Sequence, residues 1–497
     1  MADPITVAGG GLTGAMIALM LAQRGLKVRV IEGREDFRVQ DRKDDSLGRI
    51  ANSTKRSINL ALSHRGICAL KKVGLYEKVQ HVLIPMKGRV IHNMDGSHAF
   101  QPYGTEPDQA INSVSRANLN RLLLDELDAL QNVQVIFGQK ISRVLPDGSV
   151  VLLDGSDSSS SAASAVALAS RKPTVLKSQF VIGADGAFST ARSSLTRLVR
   201  ADHSISYIKH GYKELTIPPN AEGGFALAEA HGLHIWPRGD FMLIALPNPD
   251  HTFTCTLFSP FTGSEGLDAL DLREPGEDEA AHDRRIMQYL SKYFPDILPL
   301  CPNVLNEFKT SPSSALLTVR VKPWHYSDKL ILLGDAAHAL VPFYGQGMNC
   351  GFEDCLIFDE YWQQFQGDVV KVFSEMSLKR APSADALADL SIENYLEMRS
   401  HTASRAFLLK KQVEGLLHKV LPSFWIPQYT MVVFTRMPYD AAKRRAEQQD
   451  KWFYRVLGAL CVGTLSVGGY LLWSKSPKEG LGTFPFSLFS KSKQGGL

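Results

Sequence analysis

Six residues near the N-terminus, Gly9-Gly10-Gly11-Leu12-Thr13-Gly14, restrict the folding of this chain more than any other part of it. They lie between a short apolar run, Ile5–Ala8, and an apolar helix-like stretch, Ala15–Ala22. Past Gly25, the alternating run Lys27–Ile31 ends at Glu32. Strand, glycine turn, helix and strand in that order predict the opening βαβ unit of a doubly wound sheet. The six residues fit G-x-G-x-x-G, in which glycines admit backbone N–H groups to a pyrophosphate and the positive end of the next helix favours its charge. Glycine turns also arise for packing alone, so the motif draws its meaning from the strand, helix and acid around it. Glu32 is placed to accept hydrogen bonds from a ribose 2′-OH and disfavours a 2′-phosphate, which predicts FAD or NAD here rather than NADP.

Further along, leucines at helical spacing predict a helix over Asn118–Leu130, and Val133–Phe137 reads as a strand. The Ser/Ala-rich stretch Asp154–Ala169 reads as a surface insertion of low complexity, without an assigned role. Tyr207–Phe258 alternates apolar and polar residues between Pro and Gly breaks, which predicts a mainly antiparallel sheet. Gly263–Asp283 is acidic and predicts a solvated loop running into a helix. Lys329–Leu333 returns to a buried strand, and Asp389–Val420 is largely helical, with Ile392, Tyr395, Phe407, Leu416 and Val420 suited to one packed face. Parallel-type units split by a β-rich insert imply a discontinuous cofactor domain with a second domain threaded through it.

A formal charge of +4 on 497 residues gives no basic stripe of the kind a nucleic-acid binder needs. The six cysteines, Cys68, Cys255, Cys301, Cys350, Cys355 and Cys461, have no CxxC and no metal-ligand spacing, so reduced thiols and no metal are expected. The apolar strand starts almost at once at Ile5, which leaves no signal or transit peptide to be read before it.

Two later segments sharpen the first. Gly183-Ala184-Asp185-Gly186-Ala187-Phe188-Ser189-Thr190-Ala191-Arg192 follows the apolar run Phe180-Val181-Ile182. An Asp-Gly past a strand is usually a turn, but Ser189 and Arg192 would suit an N-capped helix approaching phosphates. Gly334-Asp335-Ala336-Ala337-His338 leads into Pro342-Phe343-Tyr344-Gly345-Gln346-Gly347-Met348-Asn349. An acid after a strand could hold a ribityl hydroxyl, and the glycine-rich stretch would let amides reach a flavin ring near O2 and N1, where negative charge gathers on reduction. His338 reads as a structural imidazole rather than a catalytic one.

These three segments, in this order, resemble the fingerprints of the class A flavoprotein monooxygenases. The resemblance implies non-covalent FAD, with Gly9, Gly11, Gly14 and Glu32 on its ADP part, Asp185 in the segment linked to FAD and NADPH, and Asp335 on ribityl or pyrophosphate-side oxygens. No second G-x-G-x-x-G is present for NADPH, as is usual in a family whose pyridine nucleotide only visits. Narrower stretches resemble the branch that hydroxylates L-kynurenine: Arg56–Gly66, Ile84–Arg89, Ser113–Arg116, His234–Arg238, Asn394–Arg399 and Pro427–Met431. By that resemblance Arg89 binds the substrate α-carboxylate, with Tyr103, Asn394 and Tyr429 completing the pocket. Pro342, Phe343 and Gln346 lie near the flavin and the aromatic ring, and Ala61, Arg116, Ile141, Thr190, Gly347, Met348 and Asn349 contact FAD. A guanidinium fork with hydroxyl and amide donors beside it is a sound carboxylate receptor. The implied reaction forms 3-hydroxykynurenine from L-kynurenine, NADPH and O2 through a flavin C4a-hydroperoxide, with no side-chain base assigned. A class A hydroxylase of another aromatic acid and a non-catalytic, membrane-anchored FAD-binding scaffold are the competing readings.

The expected architecture is α/β: a discontinuous Rossmann-like FAD-binding domain (1–75, 106–200, 310–365), a β-rich substrate domain (76–105, 201–309), a C-terminal helical region (366–452), a transmembrane helix (456–473) and a tail (474–497). The membrane expectation rests on Val456–Trp473, whose 18 uncharged residues would span about 27 Å as a helix. Basic residues flank the stretch, and Trp452, Tyr470 and Trp473 sit where interfacial aromatics belong. The resemblance extends this to a lipid-bilayer partner, the mitochondrial outer membrane, with the catalytic domain facing the cytosol.

Overall fold

The computed structural model describes residues 3–39, 59–104, 109–153, 173–400 and 405–475. Its organising element is a six-stranded sheet in the order His325–Tyr326, Leu330–Leu332, Val181–Gly183, Ile5–Ala8, Val28–Ile31, Val133–Ile136. All neighbours are parallel except the His325–Tyr326 edge. The strand Ile5–Ala8 is buried along its whole length, as parallel strands covered on both faces must be. The helix Leu12–Gln23 packs over this sheet with the helices His64–Lys72, Arg116–Asp128 and Gly347–Gln364. In Arg116–Asp128 the Ser115 hydroxyl caps the first turn by accepting from the Asn118 amide, while Leu119, Leu123, Leu124 and Leu127 form the buried stripe that their spacing predicts.

A seven-stranded sheet follows the order Ser314–Lys322, Asp202–Ile217, Phe253–Pro260, Phe241–Pro247, Gly232–Arg238, Gly88–His92, His98–Pro102. It is antiparallel apart from the Gly232–Arg238 and Gly88–His92 pair, in agreement with the expected antiparallel sheet. One face is covered by Glu279–Tyr293 and Val304–Thr310, with Trp236, Leu257, Phe294 and Phe308 in the core between them. The other face carries Ile235, Met242 and Phe258 against Phe343, Tyr395 and Met398.

The covered face holds a row of imidazoles. His92 Nε2 lies 2.8 Å from His234 Nδ1, and the His92 ring stacks on Trp236 with centroids 4.0 Å apart. Burial, reinforced by neighbouring imidazoles, pushes His92 down to about 3 from its ordinary 6.5 and His234 down to about 4. Both folded values lie below the unfolded one, so the unfolded chain binds protons that the folded chain refuses. Their contribution to stability is complete above pH 6.5 and is lost as pH falls from there toward 4 and 3. We expect the urea midpoint to drop between pH 7 and pH 5, and a His92→Gln/His234→Gln pair to flatten that slope. A slope identical in the double variant would assign the acid sensitivity to other groups.

Two expectations fail here. The helical face over Asp389–Val420 is packed only in its first part. Tyr395 and Met398, on the helix Ala381–Ser400, are buried against the mixed sheet, whereas Leu416 and Val420, on Arg405–Val420, are 61% and 67% exposed. The hydrophobic period runs on past the surface that could cover it. Phe407 lies outside the residues whose side chains are described.

The transmembrane helix and the outer-membrane placement built on it do not hold either. Among the described residues no helix is long and apolar enough to cross a membrane. Val456–Trp473 is the second half of one continuous helix, Tyr439–Lys475, whose first half carries Asp440, Lys443, Arg444, Arg445, Glu447, Asp450, Lys451 and Arg455. Gly458, Gly463, Thr464 and Ser466 lower the mean hydropathy of this stretch below that of an all-aliphatic one. Tyr470, Trp473 and the tail lie outside the residues whose side chains are described, as do Arg56–Ile58 and the 154–169 insertion. Residues up to Arg444 form one compact unit and those from Arg445 a second.

Candidate active site

The parallel strands Ile5–Ala8, Val28–Ile31, Val181–Gly183 and Leu330–Leu332 direct their carboxyl ends at one cavity of about 740 Å³, where ligands of open α/β sheets bind. Gly9, Gly11, Glu32, Ala184, Asp185 and Asp335 line this end. The far end is lined from the mixed sheet by Arg89, Tyr212, Leu233, Ile244 and Phe258, and from elsewhere by Tyr103, Phe343, Met398 and Tyr429. The FAD and substrate residues expected from the sequence therefore largely converge on one space.

At the sheet end the three glycines do different work. Gly9 has φ +99° and a Cβ on it would meet the Ala184 carbonyl oxygen at 2.5 Å. On Gly14 a Cβ would meet the Gly9 carbonyl oxygen at 1.9 Å, which enforces close helix–strand packing. Beside Gly11 a Cβ would meet nothing within 4 Å, although this residue opens the helix Leu12–Gln23, whose first turn has no side-chain cap. Uncapped amides facing open space are what an anionic pyrophosphate needs. The Glu32 carboxylate accepts from the Gly10 amide at 2.8 Å and from Arg34 Nε at 2.8 Å. Burial alone would raise Glu32, but Arg34 and the amides of Arg34 and Gly10 hold it below its ordinary value, so it stays an acceptor at the cavity wall.

Asp185 folds back onto its own helix, accepting from the Ser189 hydroxyl at 2.5 Å and the Thr190 amide at 2.7 Å. Ser189 in turn caps the helix Thr190–Leu198 by accepting from the Arg192 amide at 2.8 Å. Arg192 does not turn to the cavity: its guanidinium donates to the carbonyls of Ala336, at 2.9 Å, and Ala187, at 2.5 Å, tying this segment to the Asp335 loop. Asp335 is exposed on the cavity wall while Ala336, Ala337 and His338 behind it are buried. Arg116, Ile141 and Thr190 line the same cavity.

Gly345, with φ +64°, and Gly347 bring the backbone to the cavity wall, and Met348 lines it in the first turn of the uncapped helix Gly347–Gln364. Asn349 is not on the wall. Its amide donates to the Ala61 carbonyl at 2.7 Å and the Gly345 carbonyl at 2.9 Å, and its oxygen accepts from the Ser63 amide at 2.8 Å, so it braces the wall from behind. Gln346 is likewise buried off the wall, accepting from the Ser63 hydroxyl at 3.3 Å.

At the far end Arg89 is buried, and its Nε has no hydrogen-bond partner among the described residues. The guanidinium carbon lies 5.7 Å from the Tyr103 ring centroid and 5.3 Å from that of Tyr429, and these two rings stack 5.1 Å apart. Glu397, which sequence reasoning did not single out, faces Arg89 at 3.5 Å. Burial opposes the Arg89 charge, but an arginine stays cationic there, with the Glu397 carboxylate as its anionic neighbour and the neutral Tyr103 and Tyr429 rings beside it. The Tyr103 hydroxyl, beside Arg89 and Tyr429, is also buried and makes no hydrogen bond of good geometry among the described residues. Asn394 does not reach the cavity; it donates to the Phe343 carbonyl at 2.7 Å and sets the turn Pro342–Tyr344. Pro342 and Phe343 do line the wall, and Phe343 also stacks on Tyr395 at 4.0 Å, so it is both pocket and core. Tyr344 and Met398 complete this end; neither carries a spacing signal, and only the fold brings them in.

His338 is structural, as expected. It is buried beside Asp354, its Nε2 2.5 Å from the carboxylate, and burial, which would lower it, is outweighed by that carboxylate, so it stays protonated well above its usual range. Cys68, Cys255, Cys301, Cys350 and Cys355 are free thiols.

A family model described as "FAD binding domain" matches residues 3–210 and 305–358. The chain is 41% identical over 472 residues to a protein of Sus scrofa named kynurenine 3-monooxygenase, covering 93% of this chain and 92% of that one. Proteins with the same name from Dictyostelium discoideum and the bacterium Myxococcus xanthus are each 39% identical, the first covering 89% of this chain and 90% of its own length, the second 90% and 89%. A bacterial relative with this name removes the mitochondrion from what the resemblance implies. Among solved structures, 2-methyl-3-hydroxypyridine-5-carboxylic acid oxygenase superposes with a TM-score of 0.61 at 19% identity, covering 82% of this chain and 96% of its own, a likeness of fold.

Proposed function

The chain belongs to the kynurenine 3-monooxygenase family, and we propose that it reads its substrate through Arg89. It is an FAD-dependent monooxygenase that turns L-kynurenine, NADPH, a proton and O2 into 3-hydroxykynurenine, NADP+ and water. The observation that carries the substrate assignment is a buried, cationic guanidinium whose Nε, like the Tyr103 hydroxyl beside it, makes no hydrogen bond of good geometry among the described residues. A carboxylate supplies acceptors to both and relieves the cost of burying them unpaired.

Bound FAD would supply the hydride acceptor for NADPH and the activation of O2 for insertion at the ring. The residues of the chain bind, orient and exclude water. Gly9, Gly11 and the first turn of Leu12–Gln23 receive the pyrophosphate, Gly14 keeps that helix tight on its strand, and Glu32 receives the ribose. Asp335 receives a ribityl hydroxyl, and the backbone at Gly347 and Met348 faces the flavin ring. Arg116, Ala61, Ile141 and Thr190 line the same side, with Asp185 and Asn349 bracing it. In our reading the segments 1–75, 106–200 and 310–365 serve FAD, and 76–105 with 201–309 serve the substrate. Arg89, Tyr103 and Tyr429 fix the amino-acid end of kynurenine, so that its aromatic ring lies against Pro342 and Phe343. Gln346 and Asn394 shape that wall from behind, and the apolar lining from Leu233, Ile244 and Phe258 keeps water from the reacting carbon.

The test is NADPH consumption by the FAD-loaded enzyme with and without L-kynurenine, tracking 3-hydroxykynurenine and H2O2. Stimulation with hydroxylated product is the expected result. Stimulation that yields only peroxide would make kynurenine an uncoupling ligand, and no response would overturn the substrate assignment.

A further inference from the structure

The sequence stretch Arg56–Gly66 contains an arginine, Arg65, that the reading above leaves without a role. It is fully buried, on the helix His64–Lys72 next to the cofactor strand Asn59–Leu62. Its guanidinium donates Nε to the Val432 carbonyl at 3.0 Å and Nη2 to the Met437 carbonyl at 2.5 Å, pairs through Nη1 with Glu353 at 2.5 Å, and lies 3.9 Å from the Tyr439 ring centroid. Val432 belongs to the short helix Gln428–Val433, the element that carries Tyr429 into the cavity.

Carbonyls at the end of a helix lack partners within it, so a fixed arginine there is a strong anchor. Glu353 is itself pinned from the other side by Arg380, at 2.9 Å, and Arg380 donates Nε to Asp354 at 2.7 Å. Asp354 accepts the Gly334 amide at 3.0 Å, next to Asp335. One unbroken chain of buried charges therefore runs from the Asp335 loop to the segment bearing Tyr429.

We propose that Arg65 is a positioning residue for substrate binding: by clamping the Val432 and Met437 carbonyls against Glu353 it holds Tyr429 over Tyr103 and Arg89 and keeps the kynurenine pocket closed. This rests on the assignment of Arg89, Tyr103 and Tyr429 to the substrate. A lysine in place of Arg65 keeps one charge for Glu353 but cannot bridge three partners with a planar fork. Removing charge-assisted hydrogen bonds of this kind costs roughly tenfold or more in an equilibrium.

In the holoenzyme, Arg65→Lys is expected to raise KM for L-kynurenine roughly tenfold or more. FAD occupancy, read from flavin absorbance, and kcat at saturating substrate stay close to the parent values, and a larger share of NADPH oxidation ends in H2O2 because water enters. An unchanged KM and peroxide share would overturn the clamp. So would a loss of FAD in step with the loss of kynurenine affinity, which marks a general structural role. Should Arg65→Lys fail to fold, Glu353→Gln, which removes the charge that orients Arg65 at nearly constant volume, is read by the same criteria. Arg89→Ala run in parallel separates the two readings. If it raises KM while both clamp variants are silent, only the clamp falls; if it too is silent, the substrate site itself is misassigned.

Discussion

Replacing Arg89 with alanine is expected to lower kcat/KM for L-kynurenine by on the order of a hundredfold or more, chiefly through KM, while the protein keeps its FAD. Loss of one partner of a buried, hydrogen-bonded charge pair costs about 2–5 kcal/mol, much of it from the charge left unpaired. On the proposed reading that charge is the substrate carboxylate, drawn into a pocket walled by the Tyr103, Tyr344 and Tyr429 rings. The effect falls on KM because the carboxylate is held equally in the ground and transition states, far from the reacting carbon. Arg89→Lys should lie between parent and alanine, keeping the charge and losing the fork. Glu397, 3.5 Å from Arg89, is the one acid at this spot among the described residues and would keep an unliganded guanidinium balanced. Steady-state kinetics with flavin absorbance read both quantities, and an Arg89→Ala enzyme with parental KM would remove the carboxylate assignment.

Asp354→Ala is expected to be the most destabilising single change in the compact unit, by about 3–5 kcal/mol. The carboxylate is wholly buried and serves three donors: Arg380 Nε at 2.7 Å, His338 Nε2 at 2.5 Å and the Gly334 amide at 3.0 Å. Burial would raise Asp354, but His338 and Arg380 outweigh it and hold the carboxylate ionised. Truncation leaves an imidazolium and part of a guanidinium in a low-dielectric interior, and only His338 can escape by losing its proton. The Gly334 amide also loses its acceptor, so the loop bearing Asp335 loosens and FAD affinity should fall with stability. Urea unfolding of the FAD-loaded and FAD-free enzyme measures both. A loss below about 1 kcal/mol would show that neighbouring groups take over the role of Asp354.

The cofactor end of the site was legible because its chemistry is local. Gly9, Gly11, Gly14 and Glu32 lie within one βαβ unit, and backbone connectivity alone brings the turn, the helix N-terminus and the acid to one strand end. Asp335 could be read in the same way, as an acid just past a buried strand. The expected antiparallel sheet over Tyr207–Phe258 followed from alternation, which reports one buried face directly.

Reading failed where a local pattern needed a distant partner to acquire meaning. Leu416 and Val420 keep the helical period of Tyr395, but only Tyr395 has a sheet to cover it. Val456–Trp473 is uncharged along its length, yet it continues a helix whose preceding turns are charged, and no described helix qualifies as a membrane span. Arg192 has the spacing of a phosphate ligand, and its guanidinium is spent on two carbonyls of neighbouring loops.

What the chain determined by itself is the opening βαβ unit with its glycine turn, and the acids just past the strands, since each of these is a pattern of residues close together in the chain. Tertiary structure brings Tyr429 to Arg89 and Tyr103, a grouping that the family resemblance implied but no spacing encodes, and it alone decided that Glu397 faces Arg89 and that Arg65 joins a buried ionic chain from the Asp335 loop to the segment bearing Tyr429. The reason is physical: the worth of a buried charge is set by the partners that surround it after the chain has closed on itself, and no spacing along the chain encodes that environment.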